Sequence, residues 1–279
     1  MQEDAMKQRI FQIFFLSACL TLVLRPSAPA ALGPEQAAAL ERKIDLINGL
    51  MSQRRLAARI FDDLNTALPD RVWMTEVHYD SKGIQIKGSA RTNILLSDYV
   101  LSLEGNPNLT SVTLQSSIQR RARNNEYQEF VLRALVKDTR AGRPSALSRS
   151  GSDSAALAAL ATRLKELEKV MPARKETAEI LRQVQQIASD SQLKVMKFAP
   201  GSEIQKEFYG EFPIAIEVTG TRQDLRRFFG RMADLPRLWL ISEFSIKAIS
   251  NQDADSPIRA SITAQTYFLR ETPATGARL

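Results

Sequence analysis

The two residue types that build most catalytic and metal centres are nearly missing from this chain of 279 residues, which has one cysteine, Cys19, and one histidine, His78. A single cysteine excludes an intrachain disulfide, and the two residues together cannot form a Cys/His metal cluster. A nucleophile–base pair would have to use His78, which falls on an expected strand beside Tyr79 and reads there as a strand surface group. Gly210 and Gly220 stand alone, so there is no glycine-rich phosphate loop. The paired carboxylates Asp62-Asp63 and Glu166 with Glu168 lie on helical stretches with bases nearby, and solvated faces explain them. Long hydrophobic runs are also scarce. These absences exclude an enzyme with a recognisable catalytic, cofactor-binding or metal site, and no small-molecule substrate is expected.

What the chain does have begins with charge. Its net charge of +7 is concentrated between Arg120 and Arg149, where eight basic residues stand against three acidic ones. Much of that window reads as a hairpin loop and a linker, so a solvated segment accounts for it, with anionic lipid headgroups or nucleic acid as the alternative contacts. An RNA-binding sheet would need adjacent aromatics on central strands. Phe208, Tyr209 and Phe212 come closest, but Glu207 and Glu211 interrupt them, so no nucleic acid is expected.

One hydrophobic run does occur, Ile10–Leu24, fifteen mostly apolar residues after Lys7 and Arg9. Its length fits a signal segment of ~7–15 residues better than a spanning helix of ~20. An uncleaved anchor could gain length from Ala30 to Leu32, with Arg25 snorkelling. In both cases Lys7 and Arg9 stay cytoplasmic and everything after Leu32 is exported.

The rest of the chain carries one hydrophobic pattern twice. Ile84, Ile86 and Gly88 lead into Leu96, Tyr99, Val100 and Leu103, followed by Pro107 and Leu109. Ile216, Val218 and Gly220 lead into Leu225, Phe228, Phe229 and Met232, followed by Pro236 and Leu238. Alternation before the glycine and i, i+3, i+4, i+7 spacing after it describe a strand, a turn and an amphipathic helix. Ahead of the first copy, Leu40, Ile44, Ile47, Met51, Arg54, Ala58 and Phe61 keep a 4-3 spacing, as along one face of a long helix. Ahead of the second, Leu157, Leu160, Leu164 and Leu167 do the same.

These signals divide the chain into a hydrophobic segment (1–33), a coiled-coil-type helix (34–66) and a first domain (67–137). A basic linker (138–154), a second coiled-coil-type helix (155–172), a second domain (173–271) and a tail (272–279) follow. In the first domain a hairpin turns at Asp80–Gly83 and a polar loop spans Gln119–Gln128. Each half reads helix-strand-strand-helix-strand-strand, an α+β sandwich of ferredoxin-like type with one helical face and an exposed face or edge for partners.

The string Glu203-Ile204-Gln205-Lys206-Glu207-Phe208-Tyr209-Gly210-Glu211-Phe212-Pro213-Ile214 then bears on family, with Gly220, Asp224-Leu225, Phe228-Phe229 and Leu235-Pro236-Arg237. On these residues the second half resembles PilO, a type IV pilus inner-membrane assembly family. The first half is similar to PilN through Leu64, Leu68-Pro69, Val72-Trp73-Met74, Gly83-Ile84, Gly88, Asn93, Leu103 and Pro107. The resemblance implies a fused, non-enzymatic scaffold without cofactors, anchored in the inner membrane by residues 10–24 with its bulk in the periplasm. It implies partners of PilM, PilP and secretin type, and pairing of such domains with each other, within the chain or as a homodimer. Two departures stand out. Met1–Arg9 lacks the Asn-containing peptide with which PilN docks on PilM, and no separate anchor precedes Leu157. The related type II secretion assembly platform shares this architecture and is the near alternative. A periplasmic ligand-binding domain pair is the more distant one.

Overall fold

The computed structural model describes residues 34–122, 125–137, 154–172, 177–206, 208–249 and 257–269. The hydrophobic run with Cys19, nearly all of the basic linker and the tail lie outside these residues. Among the described residues no helix is long and apolar enough to cross a membrane.

Helix α1 (Pro34–Gln53) is followed by α2 (Leu56–Thr66), so the expected long helix is two helices broken at Arg54-Arg55. The break falls where Arg54 interrupts the apolar seam, with its Nε and one Nη buried and its pKa lowered by that burial. It lets α1 and α2 serve different cores. Strands β1 (Val72–Asp80) and β2 (Gly83–Ala90) then pair as a hairpin. Asp80 accepts a hydrogen bond from the Lys82 amide, and Gly83 takes a φ of 123° that an L side chain would resist. Helix α3 (Asn93–Glu104) starts at the cap Thr92, whose hydroxyl accepts from the Leu95 amide.

Strands β3 (Leu109–Ala122) and β4 (Asn125–Val136) follow. Their pairing runs to Ala122↔Asn125, so most of the expected polar loop at Gln119–Gln128 is strand. This extension carries charged rather than apolar residues, and Arg120–Glu129 and Arg121–Glu126 ion pairs cross it.

The second half contains α4 (Ser154–Glu168), α5 (Thr177–Asp190), β5 (Lys194–Pro200), the short β6 (Ile204–Gln205) and β7 (Tyr209–Gly220). It ends with α6 (Arg222–Asp234), β8 (Trp239–Ala248) and β9 (Ile258–Leu269). A reciprocal capping box starts α6, in which Thr221 and Asp224 each accept the other's amide proton.

All strands join one antiparallel sheet in the order β3-β4-β2-β1-β8-β9-β7-β5, with β6 paired to β7. Taking β5, β7, β8 and β9 as counterparts of β1, β2, β3 and β4, the same order occurs twice in succession. The halves meet through β1 and β8, which pair from Glu76↔Lys247 to Tyr79↔Phe244. One face of this sheet carries α2, α3, α5 and α6, and a single apolar core runs beneath them across both halves. The fold is therefore mixed α+β.

The repeat glycine has a packing reason in both copies. A Cβ on Gly88 would lie 2.4 Å from the Phe130 ring, and one on Gly220 would lie 2.6 Å from Leu193.

Candidate interaction surfaces

Three surfaces emerge from this arrangement: a junction inside the sheet, a helical clasp on its second face, and two edges, β3 and β5, that pair with no further strand among the described residues.

At the junction, α2 packs on α6 while β1 pairs with β8. Phe61 from the first half meets Phe229 edge-on, with ring centroids 5.5 Å apart, and Tyr79 stacks on Phe244 at 5.1 Å. Asp62 pairs with Arg226 at 2.7 Å, and Arg55 pairs with Asp234. On the second face Glu76 bridges both halves, receiving Lys87 at 2.9 Å and Lys247 at 3.3 Å. The hydrogen bond from Lys87, reinforced by Lys247, holds the Glu76 carboxyl below the usual glutamate range. Its contribution to stability is therefore present above the ordinary glutamate pKa and lost as pH falls through the depressed value. Replacing Glu76 with Gln should cost ~0.2–1 kcal/mol for a half-exposed cluster of this kind. Urea unfolding at neutral pH and at successively lower pH checks this, because the difference between the two proteins should shrink as pH falls through the depressed value.

The clasp is built from α1 and α4. Helices α1 and α4 pair with each other in the same chain and pack at one corner of the sheet. Ile44 and Ile47 are buried, and Leu40, Met51, Leu164 and Leu167 are partly buried. Leu157 and Leu160 fall on α4, but their side chains lie outside the described set. Ile47 shares a cluster with Met171, Leu238, Leu240 and Tyr267. Alternation along β9 places Tyr267 on the face opposite Phe268, so this is the second face of the sheet. The Leu238 amide donates to the Val170 carbonyl at 2.9 Å, tying the end of α4 to the start of β8.

The motif residues of the second half are spread between these regions. Phe208 lies under the Lys43 ammonium, 5.4 Å from ring centroid to nitrogen, and Tyr209 faces Tyr267 at 5.9 Å. Burial, then Glu211, raises the Tyr209 pKa. Phe212, Phe228 and Phe229 are core residues, and Pro213 accepts from the Gly201 amide at 2.9 Å. Pro236 sits in the turn after α6. Beside it Arg237 is buried and donates from Nε to the Thr266 hydroxyl at 2.8 Å.

In the first half, Leu68 and Pro69 form the bend between α2 and β1, where the Val72 amide donates to Pro69. Trp73 is half-buried opposite Ser89, Asn93 is the first residue of α3, and Pro107 lies in the turn before β3. None of these sets converges on a pocket with reactive groups. His78 lies 3.5 Å from Asp80, both half-exposed beside the turn. Among the described residues no group of three or more His, Cys, Asp or Glu side chains could hold a metal ion.

The β1–β8 pairing and the aromatic cluster across it were not expected from sequence. Tyr79 and Phe244 on alternating strands were the available signal, but alternation does not name a strand's neighbour.

Residues 59–136 match the family of fimbrial assembly protein PilN, and residues 176–271 match the type IVa pilus alignment subcomplex PilO C-terminal domain. Among curated proteins, the type IV pilus inner membrane component PilO of Pseudomonas aeruginosa is 26% identical, over 62% of this chain and 79% of that protein. The inner membrane component PilN of the same organism is 28% identical, over 40% of this chain and 56% of its own length, so the chain spans little more than half of that relative. Among solved structures, the type 4 fimbrial biogenesis protein PilO from Pseudomonas aeruginosa is 29% identical over 41% of this chain and 89% of that one, with a TM-score of 0.34. The core region of PilO from the same organism is 28% identical over 38% and 99%, with a TM-score of 0.31.

Proposed function

Since this chain carries a PilN domain and a PilO C-terminal domain together and is homologous to both pilus components, we propose that it is a non-enzymatic scaffold of the type IV pilus machinery in which two partners have become one molecule. The carrying observation is the joint sheet: the two family domains meet through β1 and β8 and share one core. Each half is read as a ferredoxin-like unit, residues 67–137 and 173–271, with α1 and α4 as the coiled-coil pair. Residues 10–24 would anchor the chain in the inner membrane, as its homologues are inner membrane components. The bulk of the chain would then be periplasmic, reaching PilP-like and secretin partners, with PilM-like contact on the cytoplasmic side. No cofactor or small-molecule substrate enters this role.

Co-purification of the tagged full chain from detergent-solubilised membranes tests it. The expected result is recovery in the membrane fraction together with PilM-like and PilP-like proteins. Recovery only from the soluble periplasm would overturn the anchor, and association with a type II secretion platform instead would overturn the pilus assignment.

A further inference from the structure

The internal junction shows what one kind of edge on this fold accepts. Strand β8 with helix α6 receives β1 with helix α2. Because the strand order repeats in the same direction, the ends of the sheet are not alike. One end is β3 with α3, the counterpart of the receiving edge, and the other is β5 with α5, the counterpart of the inserted edge.

The receiving end has an open groove of 720 Å³, lined by Ser97, Val100, Leu101, Glu104, Leu114 and Ser117 among others. Its residues map onto the covered junction. The offset that matches Leu96 to Leu225 matches Ser97 to Arg226 and Val100 to Phe229, the residues that meet Asp62 and Phe61. Leu114 faces Leu132, which faces Ile86, while Ile246 faces Ala260, which faces Val218. Ile86 and Val218 are repeat counterparts, so Leu114 occupies the place of Ile246. Ile246 is 4% exposed under the junction, whereas Leu114 is 43% exposed and neighbouring Leu101 is 64% exposed.

The inserted-type end is compatible with that groove. On β5, Val195 and Phe198 face Val218 and Ile216 and thus hold the places of Val77 and Tyr79, with Met196 beside them 54% exposed. The same ladder places Lys197 opposite Thr113 and Lys194 opposite Ser116, so like charges do not confront each other there. The bulges of β1 and β8 flank their four paired residues, whereas those of β3 at Leu114/Ser116 and of β5 at Val195/Lys197 fall inside the matching stretch, so this contact centres on the Leu114–Val195 and Thr113–Lys197 pairs.

We infer that the β3–α3 groove is the docking site for the β5–α5 edge of a second copy of this chain, continuing the sheet head to tail. Such a heterologous contact closes into a ring or extends as a row. It goes beyond the scaffold role proposed above, and a chain that fails to self-associate would refute it while leaving the family domains untouched.

The test uses the full chain in detergent with Cys19 replaced by alanine and a short bis-maleimide as the probe. Thr113→Cys and Lys197→Cys in one chain are expected to cross-link into species larger than a dimer or into a closed ring. They cannot link within one chain, because seven strand spacings of ~4.8 Å separate the two edges. Each single variant should stay uncross-linked, and an equal mixture of the two should stop at a dimer. Leu101→Asp, at an exposed position, should keep the circular dichroism of the parent chain and lower the yield roughly tenfold through lost apolar burial. Cross-linking of Thr113→Cys alone would show edge-to-like-edge pairing and overturn the proposal. Absence of any cross-link, or a groove occupied by a different protein, would overturn it as well.

Discussion

Replacing Phe229 with alanine should destabilise the whole chain by about 3–5 kcal/mol, the usual cost of emptying a buried phenylalanine site. The ring is 1% exposed and touches Phe61 of the first half as well as Phe228 and Phe244 of the second. Because the two halves share this cluster, thermal unfolding should remain one transition and move down by roughly 10 °C. If the halves were independent, one of two transitions would shift and the other would stay. Calorimetry of the full chain separates the outcomes, and a loss near zero would take α6 out of the core.

The second large effect is expected at the clasp, and it should be local. Ile47 is fully buried against Met171, Leu238, Leu240 and Tyr267, so Ile47→Ala should cost about 2–5 kcal/mol of clasp stability. That cluster is separate from the main core. Hydrogen exchange should therefore speed up in α1 and α4, while amides of β7 and β9 stay protected. Leu164→Asp should act in the same way without melting the sheet. Equal loss of protection in β7 and β9 would mean that the clasp is part of the main folding unit.

Much of the secondary structure is legible from short-range pattern. Alternation at Ile84–Gly88 and Ile216–Gly220 marks β2 and β7, and the 3-4 spacing after each glycine marks α3 and α6. The polar stretch near Gln119 is missed because an edge hairpin has no buried face to impose alternation. The helix break at Arg54-Arg55 follows from tertiary demand, since α1 and α2 bury their faces in different cores. Pairing of β1 with β8 leaves no local trace, as Tyr79 and Phe244 lie far apart in sequence and only the folded sheet brings them together. The motif residues mark the two families, yet in space they serve caps, turns and cores. Exposed apolar side chains such as Leu101 and Leu114 lie outside those motifs.

The β1–β8 ladder spans only four residue pairs, a small contact by the standards of stable complexes between separate proteins, and α2–α6 packing and the α1–α4 clasp add to it. Two free domains meeting there would have to reach each other by diffusion and offset the loss of translational freedom. On one polypeptide the encounter is unimolecular, with an effective concentration set by the chain that joins the two domains. Fusion therefore sets the stoichiometry of the two family domains at one to one and makes their pairing insensitive to expression level. That relaxes the demand on the contact itself below what separately encoded partners would need.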